Sequence, residues 1–225
     1  MSCPEEAGKS AIDYTLYLVT DSGMVGDKDL IEEVKKAVEG GVTLVQLREK
    51  EICTRDFYRL ALRMKEMLSG MNIPLLINDN VDIALAVDAD GVHLGDEDLP
   101  VDIARDLLGL EKIIGKSVST ADDAERAEKL GADYLGLGPV YPTTTKEGAD
   151  FGLDAATIKS VVDAVSIPVV GIGGIDAENI GQVAKHPFSG VAVVSAIMAQ
   201  NDPKSAARQL RQGWKRAVKR KGIDR

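Results

Sequence analysis

Cysteine and histidine are scarce, with two of each in 225 residues. Cys3 and Cys53 are too few and too far apart for a disulfide framework or a thiolate metal site, so a reducing cytoplasm is the expected compartment. Two histidines give no zinc cluster and no Ser-His-Asp or Cys-His arrangement. Basic residues are also in deficit, 27 against 36 acidic ones, and the net charge of -9 excludes a general nucleic-acid binder. No apolar run approaches the ~20 residues of a membrane span, and MSCPEEAGKS carries acids where a signal peptide has an apolar core, so no membrane partner is expected. What is plentiful is apolar content, 44% against 28% charged, enough to fill one domain of α/β-barrel size and less suited to two small ones.

Short β-rich runs alternate with amphipathic or alanine-rich stretches to the end of the chain, with no linker composition between them. Strands are expected at 14–20, 43–48, 74–79, 91–95, 113–119, 134–140, 168–174 and 190–196. Helices are expected at 27–39, 54–68, 81–87, 100–108, 121–130, 154–165, 177–184 and 203–219. Gly40, Gly41 and Gly131 read as helix C-caps, Thr120 and Asp176 as N-caps. Runs such as TLVQL, PVVGI and GVAVV are apolar at nearly every position, as parallel strands covered on both faces must be. Eight βα units fit a single-domain (β/α)8 TIM barrel over 13–220, with tails at 1–12 and 221–225.

In such barrels chemistry sits at the C-terminal ends of the strands. Three cations fall there, Arg48, Lys50 and Lys146, although each taken singly would be read as pairing in solvent with Glu49, Glu51 or Glu147. Together, on an acidic protein, they suit a polyanion such as a diphosphate. Asp79 and Asp98 end neighbouring strands and could share Mg²⁺, which takes one or two carboxylates and completes its shell with water and phosphate oxygens. Separately, Asp79 reads as a turn or N-cap residue and Asp98 as part of an exposed DED stretch. GIGGI at 171–175, followed by Ser195 one unit later, suits a phosphate site after strands 7 and 8, the glycines leaving room for an anion at backbone amides. The strand-6 loop GPVYPTTTK has the length of a lid. His93, inside a strand, is read as a satisfied core histidine rather than a general base, and Cys53 and His186 carry no function. The basic end WKRAVKRKGIDR reads as a solvated helix terminus.

The motifs QLREK (46–50), ND (78 and 79), GVHLGDED (91–98), GKS (115–117), GPVYPTTTK (138–146), GIGGI and GVAVVSAI (190–197) resemble the thiamine phosphate synthase family, in the same order from about 17 to 199. The resemblance implies a TIM-barrel transferase that joins 4-amino-5-hydroxymethyl-2-methylpyrimidine diphosphate to 4-methyl-5-(2-hydroxyethyl)thiazole phosphate and releases pyrophosphate with Mg²⁺. It assigns Gln46, Arg48, Lys50, Asn78, Ser117 and Lys146 to the pyrimidine diphosphate, with Leu47 and Glu49 in the same motif, and Asp79 and Asp98 to Mg²⁺. Thr143 and Thr145, with backbone at Gly174, Val194 and Ser195, would hold the thiazole phosphate, and Thr144 between them is counted as substrate-binding. Arg48, Lys50, Ser117 and Lys146 would be the catalytic residues, with Arg48, Lys50 and Lys146 neutralising the leaving diphosphate. KSVST departs from relatives that carry an alanine-histidine pair after the serine, so no histidine role is carried over there.

The alternatives are a thiazole tautomerase-like barrel, which needs no diphosphate clamp, and a non-catalytic barrel binding a phosphorylated metabolite. A phosphosugar isomerase would need a carboxylate or cysteine pair for proton abstraction, and none is evident. The expected partners are small molecules, and a homo-oligomer is left open.

Overall fold

The computed structural model describes residues 12–143, 151–220 and 222. Most of the expected N-terminal tail, the strand-6 loop from 144 to 150 and most of 221–225 lie outside the described residues. Eight strands, β1 (Leu16–Val19), β2 (Leu44–Leu47), β3 (Leu75–Asn78), β4 (Gly91–Leu94), β5 (Ile113–Val118), β6 (Tyr134–Leu137), β7 (Val169–Ile172) and β8 (Gly190–Val193), form a closed parallel barrel in sequence order. Around it lie α1 (Leu30–Gly40), α2 (Thr54–Ser69), α3 (Val81–Ala86), α4 (Val101–Leu108), α5 (Ala121–Lys129), α6 (Ala155–Asp163), α7 (Ile180–Val183), α8 (Ser195–Met198) and α9 (Pro203–Arg220). This is the expected (β/α)8 architecture. No helix among the described residues is long and apolar enough to cross a membrane.

Alternation along each strand divides the core in two. Leu16, Leu18, Val45, Leu47, Leu75 and Ile77 face outward and pack beneath the helices. Tyr17, Val19, Leu44, Leu76, Ile113, Tyr134, Val170 and Ala192 fill the barrel itself. Both faces are therefore dry, which is why the strands read as unbroken apolar runs. The same parity decides what reaches the mouth: two residues beyond Leu44 lies Gln46, beyond Leu76 lies Asn78, and His93 and Ser117 pair with Gly115 and Gly136.

The helices form where an apolar stripe meets a cap. In α1 the stripe is Leu30, Ile31, Val34, Ala37 and Val38; Asp29 caps it by accepting from Ile31 N at 2.8 Å, and Gly41 ends it at φ 119°. Thr120 caps α5 as expected, accepting from Asp123 N at 3.1 Å. Asp176 does not cap a helix at 177. Its Oδ1 instead accepts from Glu178 N (2.9 Å) and Asn179 N (3.0 Å), building a turn that delays α7 to Ile180. Two short elements were not expected, a 3-10 turn at Ser22–Met24 and α8 directly after β8. The basic C-terminal stretch is helical to Arg220, with Ala207, Leu210 and Trp214 buried on its other face.

Candidate active site at the barrel mouth

Asp79 leaves β3 at φ +64°, a left-handed conformation that aspartate tolerates better than most residues. Its backbone N–H donates to His93 O at 2.9 Å, which holds the turn against β4. The turn sets the carboxylate 3.1 Å from Lys50 Nζ and beside the carboxyl of Asp98, near enough for the two to act on each other electrostatically. Asp98 in turn accepts from Gly95 N at 2.6 Å. Partial burial, and then the neighbouring Asp79 carboxylate, push the Asp98 carboxyl above its ordinary range, while the Gly95 amide and Lys50 pull it down. Two carboxylates pressed together beside one ammonium are an oxygen-rich site for a hard cation. Among the described residues they are joined by no third carboxylate, histidine or cysteine. A cation here would keep most of its coordination for water and ligand oxygens, which suits Mg²⁺ better than zinc.

Thr20, fully buried at the end of β1, accepts from Arg48 N at 3.0 Å, so Arg48 is fixed by its backbone. Glu49 does not pair with a neighbouring lysine. It turns back to the 3-10 segment, accepting from Thr20 Oγ1 at 3.3 Å and closely from Ser22 Oγ. Burial raises the Glu49 carboxyl, with those hydroxyls acting in the opposite direction. Lys50 likewise pairs with Asp79 rather than with Glu49 or Glu51. Leu47 is fully buried among the outward-facing core residues, so its side chain does not reach the mouth and only its backbone is available there. Lys116, on the outward parity of β5, is held by Asp96 at 2.6 Å.

Inside the barrel a polar chain runs beneath these groups. Gln46 Nε2 donates to Tyr17 Oη at 2.6 Å, and Tyr17 Oη meets Tyr134 Oη at 2.8 Å. Tyr134 Oη meets His93 Nδ1 at 2.8 Å, and His93 Nε2 meets Ser117 Oγ at 3.0 Å. His93 is thus the satisfied core histidine expected from its place in a strand. Tyr17 and Tyr134 were missed by the sequence reading. Their signal lay in Gly115, where a Cβ would come within 2.2 Å of the Tyr134 ring, since glycine inside a strand marks a close approach.

On the opposite side of the mouth, Gly173 and Gly174 follow β7 at φ 101° and 60°. Packing constrains the pair as well: a Cβ at Gly174 would lie 2.7 Å from Pro142 O and from Tyr141 Cβ. The strand-6 loop stem packs directly on the glycine pair, and Asn179 Nδ2 fastens Gly174 O at 2.8 Å. The N–H groups of Gly174, Val194 and Ser195 donate to no acceptor among the described residues, so three backbone donors line this side. Thr143 is described at the stem of the loop; Thr144, Thr145, Lys146 and Glu147 lie outside the described residues.

Residues 16–197 match the family model described as thiamine monophosphate synthase. The chain belongs to the thiamine monophosphate synthase family. A thiamine-phosphate synthase of Desulfitobacterium hafniense strain Y51 is 50% identical over 205 residues, covering 91% of this chain and 99% of that one. One of Ruminiclostridium cellulolyticum is 51% identical, covering 90% and 96%. The thiamine phosphate pyrophosphorylase of Pyrococcus furiosus superposes with a TM-score of 0.84 at 38% identity, over 92% of this chain and 98% of that chain. Membership of the thiamine monophosphate synthase family makes this barrel a transferase of thiamine biosynthesis.

Proposed function

We propose that this barrel mouth makes thiamine phosphate by holding pyrimidine diphosphate over β2 to β6 and thiazole phosphate over β7 and β8. The observation that carries the reading is the meeting of Lys50, Asp79 and Asp98 at one point of the rim, in a chain whose family forms this product. The partners are two small molecules, with no nucleic acid and no membrane, and the compartment is the cytoplasm.

The site's chemistry follows from the substrates. The reacting carbon is attached to an electron-rich aminopyrimidine. Its C–O bond breaks first, the electron pair leaves with the diphosphate, and the resulting cation is stabilised by the ring. The thiazole nitrogen then forms the C–N bond with its lone pair. That nitrogen has no proton to lose, so no general base is needed, which agrees with a site whose one histidine is engaged at both ring nitrogens. Catalysis reduces to stabilising the leaving group and aligning two rings.

Asp79 and Asp98 would hold Mg²⁺, which supplies neutralisation of diphosphate charge. Arg48 and Lys50 carry the same role from the end of β2, and Lys146 from the strand-6 loop. Gln46, Asn78 and Ser117 orient the pyrimidine half, with Leu47 and Glu49 contributing through their backbone. Thr143, Thr144 and Thr145, with the amides of Gly174, Val194 and Ser195, bind the thiazole phosphate. Pyrophosphate release measured with each substrate alone and with both together tests the proposal. Release that needs both substrates and Mg²⁺ is expected, and none from folded protein refutes it.

A further inference from the structure

The polar chain through the barrel joins Gln46 on β2 to Ser117 on β5, the two residues proposed to meet the pyrimidine substrate, and its proton count allows a direction to be assigned. The Gln46 amide nitrogen can only donate, so Tyr17 Oη is an acceptor at that contact. Tyr17 has one proton, and its remaining partner is Tyr134 Oη. Tyr134 therefore accepts from Tyr17 and gives its own proton to His93 Nδ1. A neutral imidazole that accepts at Nδ1 carries its hydrogen on Nε2, so His93 donates to Ser117 Oγ. The serine proton is left pointing onward. Burial keeps both phenols protonated, since it raises Tyr17 and Tyr134 far above the ordinary tyrosine range.

At the other end, Gln46 is 3% exposed and its Oε1 accepts from no described residue. The one fully buried side-chain polar atom without a partner among the described residues is Arg211 Nε, so Gln46 Oε1 keeps some access to solvent, at the C-terminal end of β2 where the mouth lies. We infer that Tyr17, Tyr134 and His93 are positioning residues: they form a one-way hydrogen-bond chain that presents an acceptor, Gln46 Oε1, and a donor, the Ser117 hydroxyl, to the pyrimidine substrate. An amino group on the ligand would be matched by the first and a diphosphate oxygen by the second. Because Ser117 accepts an imidazole N–H, polarisation along the chain strengthens it as a donor. The surrounding packing is shaped for the chain: Gly115 leaves space for the Tyr134 ring, and a Cβ at Gly136 would lie 3.1 Å from His93 Cε1.

The inference rests on the proposed pyrimidine subsite, but its test does not depend on turnover. The sequence has only two histidines, so ¹⁵N-histidine labelling gives two imidazoles, and a His186→Asn variant identifies His93. In the ligand-free protein at alkaline pH, His93 is expected as the Nε2–H tautomer. Tyr17→Phe should leave that tautomer in place, because Tyr134 still donates to Nδ1, whereas Tyr134→Phe should abolish the preference. Tyr134→Phe should also lower kcat/KM for pyrimidine diphosphate by about 3- to 10-fold while leaving KM for thiazole phosphate unchanged. An Nδ1–H tautomer in the wild type would mean that the chain runs from Ser117 to Gln46 and would overturn the inference. A wild type with the Nε2–H form and no thiamine phosphate synthesis would instead refute the functional reading.

Discussion

Gly174→Ala separates the two reasons a glycine can be needed at the end of β7. At φ +60° any Cβ meets the left-handed penalty, about 1–2 kcal/mol. The added methyl would also sit 2.7 Å from Pro142 O and 2.9 Å from Tyr141 O, backbone atoms that cannot rotate away. Overpacking of that kind costs about 1–3 kcal/mol, for a total of about 2–5 kcal/mol. At about 2–4 °C per kcal/mol for a chain of this size, Tm should fall by about 4–20 °C. Gly26 provides the control, since it has φ +61° and nothing within 4 Å of its Cβ position. Gly26→Ala should cost the conformational part only, about 2–8 °C. Thermal unfolding of the two variants side by side isolates the contact between the glycine pair and the strand-6 loop stem. Calorimetry on thiazole phosphate should show weakened binding in Gly174→Ala and none of that loss in Gly26→Ala. Equal Tm values, or equal affinities, would show that the loop stem does not bear on β7.

Asp79→Asn keeps a residue that accepts φ +64° and removes a partly exposed ion pair worth about 0–1 kcal/mol, so Tm should hardly change. Its kcat should nevertheless fall by about 10²-fold or more, and full activity of the variant in limiting Mg²⁺ would sink the metal assignment. Lys146→Ala should lower turnover by about 10²-fold while calorimetric affinity for thiazole phosphate stays unchanged; an effect confined to the thiazole KM would move Lys146 to the other subsite. Thr20→Val removes the acceptor for Arg48 N at nearly constant volume. It should cost about 1–3 kcal/mol in thermal or urea unfolding and raise KM for pyrimidine diphosphate, and a variant unchanged in both would show that Arg48 is positioned by other contacts.

The barrel was legible because its strands are apolar on both parities, a pattern that only a sheet covered on both faces produces. Asp79 and Asp98 could be paired from sequence since neighbouring parallel strands end at the same rim. Which partner each rim charge takes was not legible. Lys50 turns to Asp79 and Glu49 to Ser22 because parity and the φ +64° turn at Asp79 decide direction, and neither shows in residue spacing. Leu47 lies within the QLREK motif, yet alternation alone places its side chain beneath the helices. The glycines of GIGGI were assigned to an anion, while their tightest constraint comes from Tyr141 and Pro142, a contact between units that no local motif encodes. Tyr17 and Tyr134 lie 117 positions apart, and only barrel closure brings them together.

The central claim is that one mouth breaks a C–O bond to diphosphate and then forms a C–N bond to thiazole phosphate, so that every cation released is captured by the thiazole nitrogen within the same turnover. Its most direct test is the ratio of products in one reaction mixture, with thiamine phosphate separated by chromatography and pyrophosphate counted in parallel. With both substrates and Mg²⁺ present, the ratio should be one to one from the earliest time point. Pyrophosphate formed without thiamine phosphate would describe a hydrolase, and a folded protein yielding neither would contradict the account.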